Sequence, residues 1–188
     1  MEQISPKDIV ESVLPHIVTV ETLREPTVHH FLRHLFVPKD SSHGNGVFKK
    51  EIYDAIIVNW ISASFNQPHV VTRVALLKQI DKYVPYLNSE ELHSKIWPLI
   101  WTGLNEQDDE LVIATLESFV PLLTFWKSQK SEFLLLRIQA IVPAISRFAE
   151  SDTSLKVRVT AIRILPRVWQ ICPQEVRIIR KSNLPFFF

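Results

Sequence analysis

The sequence predicts an all-α chain: an α-solenoid of about four helical hairpins, each packed on the next. Three observations carry this. Apolar residues fill 46% of the 188 positions and recur at helical spacing. Three segments repeat one layout at a near-constant interval. Glycine, on which turn-rich β architectures and phosphate-cradling loops depend, occurs only at Gly44, Gly46 and Gly103.

The chain divides in order as follows. Residues 1–38 read as a divergent N-terminal hairpin, with Ile9, Val13, Leu14 and Ile17 on a first helix and Thr27 to Phe36 forming a second. Residues 39–48, which include Gly44-Asn-Gly46, read as a loop. Residues 49–171 hold three hairpins. Their first helices contain Ile52 to Trp60, Ile96 to Trp101 and Ile138 to Ile145. Polar breaks follow at Asn66 to His69, Asn105 to Asp109 and Glu150 to Ser154. The second helices begin with Val71 to Leu77, Glu110 to Leu116 and Lys156 to Ile162. With Leu77, Leu116 and Ile162 in register, the spacings are 39 and 46 residues. HEAT units of an armadillo-like superhelix run to about 40–47 residues, so the hairpins are of HEAT type. Residues 172–188 form a basic C-terminal segment ending in an irregular tail.

The breaks make sense as helix punctuation. Asn and Asp side chains accept hydrogen bonds from the free N–H groups of a helix start. Asp108, Asp109 and Glu110 add negative charge at the positive end of the next helix dipole. Within the second helices, Val74, Leu77, Ile80, Val84 and Leu87 share one face, as do Leu116, Phe119, Val120 and Leu123. Of the twelve prolines, five fall in register: Pro98 and Pro143 in first helices, and Pro85, Pro121 and Pro166 towards the ends of second helices. They predict kinks that neighbouring hairpins hold in place. The apolar face of a final helix around Val168 to Ile179 has no following hairpin to cover it.

Residue types exclude most chemistry. Cys172 is the single cysteine, so no internal disulfide or cysteine-rich zinc cluster forms. His30 and His34 share a helix face beside His29, but no acidic or cysteine ligand stands near them. Gly44-Asn-Gly46 lacks the third glycine of a nucleotide loop. No catalytic, cofactor-binding or metal-ligating residues are assigned. The start has no apolar leader core, and no apolar run reaches the roughly 18 residues of a membrane span; a soluble intracellular chain is expected.

Two residue groups are candidates for interaction. Arg73 and Arg158 occupy equivalent positions at the start of second helices, and with Asp152 and Asn66 in the preceding breaks they predict an inter-repeat ladder, with partner-binding arginines as the alternative. The five tryptophans read first as core; Trp97 and Trp101, four apart, are candidates, one or both, for an exposed anchoring ridge. Net charge is +1, yet residues 155–188 hold seven Lys/Arg against the single acid Glu175. Arg177, Arg180 and Lys181 there make a candidate surface for acidic partners, against the alternative of a solvated helix face.

The stretch Val71-Thr-Arg-Val-Ala-Leu-Leu-Lys-Gln-Ile-Asp-Lys-Tyr-Val84, then Leu92 to Ile96, Pro98, Gly103-Leu104 and Leu111-Val-Ile-Ala-Thr-Leu116, resembles the HEAT region of the Scy-like pseudokinases, nearest their ezrin-associating subgroup. The resemblance covers residues 68–125 and thins to ordinary repeat pattern outside. It implies a non-catalytic scaffold in Golgi and vesicle traffic or in ezrin-linked adhesion and migration. It further implies ezrin-like or coat-protein partners, no small-molecule substrate, and a cytoplasmic location peripheral to the Golgi or the cell cortex. This chain departs from the family pattern in carrying no kinase-like segment. Arg180-Lys181 also stand too far from Phe188 for the dibasic coatomer signal of one branch, so a partial or alternatively ended product is expected. The alternatives are a HEAT adaptor of transport-receptor or phosphatase-scaffold type and a HEAT-like DNA-repair enzyme, which needs a basic concave face and a catalytic acid.

Overall fold

In a computed structural model, the structure describes residues 57–150 and 154–173, with the isolated positions 8, 12, 34, 35, 38 and 50. The described residues are helical throughout apart from short turns, and no strand occurs among them. By packing, the chain separates into two compact units, 1–118 and 119–188, and the division falls inside one long helix.

The first unit begins with α1 (Val58–Phe65), which buries Val58, Ile61 and Phe65. Asn66 closes it: the backbone N–H bonds Ala63 O and the side-chain amide donates to Ser62 O at 3.0 Å. The expectation that the Asn of this break caps the next helix is therefore corrected. The residue before α2 is His69, in extended conformation and with no side-chain cap bond.

Helix α2 (Val70–Lys78) buries Thr72 through Leu77 without a gap, as befits a helix in the middle of a core. The predicted stripe of Val74, Leu77, Ile80, Val84 and Leu87 is buried at every position. The helix is nonetheless not continuous. It breaks at Gln79, whose N–H bonds Leu76 O three residues back, and resumes as α3 (Ile80–Tyr83). It then tightens into a 3₁₀ turn at Val84–Tyr86, where Pro85 has no N–H to offer.

Next come α4 (Ser89–Glu91), a π-helical stretch Leu92–Ile96 and α5 (Trp97–Thr102). Asn88 caps this run by accepting from Glu90 N at 2.8 Å. The expected kink at Pro98 takes a specific form. Proline cannot bond the carbonyl one turn earlier, and the turn ahead of it widens to π spacing. A 3₁₀ turn, Gly103–Asn105, leads out.

Helix α6 (Asp109–Ser128) contains the division between units, at Ser118 and Phe119. Asp108 caps it by accepting from Leu111 N at 3.0 Å, as the sequence predicts. It is the one described helix long and apolar enough to cross a membrane by composition, yet 61% of that window is buried in the fold, as in a core helix.

In the second unit, α6 ends in a Schellman turn: Ser131 N bonds Trp126 O, and Lys130 N bonds Lys127 O. Lys130 takes φ 50° there. Helix α7 (Phe133–Glu150) then packs on α8 (Leu155–Ile171). The joining faces are Ile138, Ile141, Val142, Ile145 and Phe148 on α7, and Val157, Thr160, Ala161, Ile164 and Val168 on α8. Each aliphatic side chain so buried stabilises by about 1.5–3 kcal/mol. Ser154 caps α8 by accepting from Val157 N. Pro121, Pro143 and Pro166 lie inside α6, α7 and α8. The predicted first hairpin and the loop at 39–48 lie almost wholly outside the described residues.

Candidate functional site

Among the described residues, no three His, Cys, Asp or Glu side chains gather as a metal site. Cys172 is buried, and its thiol donates to Val168 O at 3.4 Å. Among the described residues, the helix surfaces and the polar links between segments hold the sequence-predicted candidates.

The clearest link sits in the first unit. Arg73 projects from the core helix α2, its side chain only 9% exposed, and Nη1 donates to Glu106 Oε1 at 2.7 Å. Nη2 donates to Thr102 Oγ1 at 3.3 Å, and that hydroxyl donates in turn to Leu99 O at 2.7 Å. Thus the second helix of one segment is bonded both to α5 and to the polar break of the next segment. Five residues further along, Lys78 Nζ pairs with Glu110 Oε1 at 2.9 Å in the open. The partner of Arg73 is therefore an acid of the following break, not Asn66 of the preceding one. In the sequence Glu106 stands in the polar break and Glu110 opens the second helix that follows it.

Asp152 lies outside the described residues, so the predicted ladder has no second rung to report. Arg158 is half-buried in α8, and its Nε finds no hydrogen-bond acceptor among the described residues. Register places Val112 between Arg73 and Arg158, and Val112 is a core residue, so the arginines do not form a continuous series. Arg177, Arg180 and Lys181 also lie outside the described residues.

Trp97 and Trp101 do stack, with ring centroids 5.2 Å apart and a 37° tilt. Trp97 is only 5% exposed, which corrects its placing on an exposed ridge, while Trp101 remains partly open. Helical spacing puts the two on one face; Trp97 is buried, as are Ile96, Ile100 and Leu104 of the same stretch.

Two features had no sequence signal beyond residue type. Gly103 meets α6 so closely that a Cβ there would overlap Thr115 Oγ1, with Thr115 Cβ 3.3 Å away. In the second unit the Arg137 guanidinium lies 5.8 Å from the Trp126 ring centroid, and burial lowers its pKa by desolvation.

Comparison with family models, curated proteins and solved structures gives no match to this chain.

Proposed function

We propose that this chain is a non-catalytic protein-interaction scaffold, a HEAT-type helical solenoid of the Scy-like pseudokinase kind. The observation that carries the reading is the bond from Arg73 to Glu106, which joins one repeat-like segment to the break of the next. A chain of hairpins tied in this manner presents extended surfaces suited to elongated partners. The segment spacings of 39 and 46 residues and the α7–α8 pair support the same reading. By the resemblance over 68–125, its partners are ezrin or coat proteins, and it acts in the cytoplasm at the Golgi or the cell cortex.

A pulldown with the full chain tests this. Capture of ezrin's C-terminal region or of coatomer is expected, and capture of neither removes the assigned partners. A DNA-repair role makes the opposite prediction: retention on duplex DNA at physiological salt.

A further inference from the structure

Helix α8 is apolar on two opposite sides. One side, from Val157 to Val168, is buried. On the other stand Leu155, Val159 and Ile162, which are 67%, 53% and 58% exposed. Pro166, exposed, and Trp169, half-exposed, continue the row. The steps along it alternate four and three residues, an average of 3.5, which is the spacing of a coiled-coil seam. An ordinary surface helix carries polar residues at these positions. Along one flank of the seam run Lys156, Arg163 and Arg167, all exposed. Arg158 is on the other flank, and α8 contains no Asp or Glu.

From this we infer that the outward face of α8 is a docking surface for an amphipathic helix of a partner protein, one whose apolar stripe is bordered by Asp and Glu. The inference rests on the scaffold reading and gives that scaffold a site. Charge selects the occupant, because residues flanking a seam set partner choice. A second copy of α8 is disfavoured in either direction. An antiparallel copy sets the Lys156, Arg163 and Arg167 row against itself, and a parallel one sets it against the flank with Arg158. A bilayer is matched less well. Interfacial helices present a broad apolar face bordered by a strongly charged one, whereas this seam is one side chain wide with its exposed cations on a single margin.

Two synthetic helical peptides test the inference against the full chain. Both carry the same leucine seam, one with Glu at the flanking positions and the other with Lys. Fluorescence anisotropy at physiological salt should show the Glu peptide binding at least tenfold tighter. Val159→Asp and Ile162→Asp should each weaken it at least tenfold with the far-ultraviolet circular dichroism unchanged. The triple variant Lys156→Glu, Arg163→Glu, Arg167→Glu should invert the preference, and this inversion serves even if an apolar variant fails to fold. Equal affinity for both peptides, or affinity for neither, overturns the inference. So does tighter binding through these residues to vesicles of equimolar phosphatidylserine and phosphatidylcholine, or a dimer that Ile162→Asp abolishes. Failure here with ezrin or coatomer still captured removes only this surface; failure of both removes the scaffold reading too.

Discussion

Arg73 and Glu106, 33 residues apart, are joined by a 2.7 Å charge-assisted hydrogen bond between the core helix of one segment and the polar break of the next. Hydrogen bonds to charged groups contribute about 1.5–3 kcal/mol when their partners are partly shielded from water. Arg73→Met should therefore lower unfolding stability by about 1–3 kcal/mol. Glu106→Gln should cost less, because Glu106 is the more exposed partner. In urea unfolding, the Arg73→Met, Glu106→Gln cycle should return a coupling energy of about 1 kcal/mol. The open Lys78–Glu110 pair is the control, with a coupling of at most about 0.5 kcal/mol. Equal coupling in the two pairs contradicts the burial argument.

Gly103 against Thr115 makes a second test. Gly103→Ala places a methyl group onto Thr115 Oγ1, and overpacking of this kind costs about 1–3 kcal/mol. Thr115→Ala removes that hydroxyl, at the cost of its bond to Leu111 O. The double variant should be more stable than the sum of the two single effects, measured by thermal unfolding. Strict additivity means that the contact is not what Gly103 relieves.

These two relationships show where the sequence was legible. Periodicity located the buried stripe from Val74 to Leu87 because every member faces the same core. It did not reveal the break at Gln79 or the π turn ahead of Pro98, since a local change in winding leaves the apolar spacing nearly intact. Asp108 was readable as a cap at a helix start; Asn66 was not, because the same side chain serves equally at a helix end. Arg73 stands out in the sequence by its position at the start of a second helix, but its partner depends on how α2, α5 and the following break come together in space. Trp97 and Trp101 share a face by spacing, and only packing decides which of the pair is covered.

Lys130 closes α6 in the left-handed region, φ 50°, at the position of the Schellman turn where glycine is favoured. A residue with a Cβ pays about 1 kcal/mol there. Lys130→Gly should raise stability by up to about 1 kcal/mol in chemical denaturation, and Lys130→Val should lower it. A loss of stability with glycine contradicts the assigned turn.

Ile162 and Ile164 are two residues apart on α8 with opposite environments, 58% and 0% exposed. Ile164→Ala leaves a cavity against α7 and should cost about 2–5 kcal/mol. Ile162→Ala should stay within about 0.5 kcal/mol. Similar losses from both substitutions mean that the outward face of α8 is covered within the chain itself.

The scaffold reading is tested most directly by calorimetric titration of the full chain into purified ezrin C-terminal region and, separately, into coatomer, at physiological salt with duplex DNA as competitor. The account predicts saturable binding to one of the two, unaffected by the DNA. Absence of binding to both, with the chain held instead by the DNA, contradicts it.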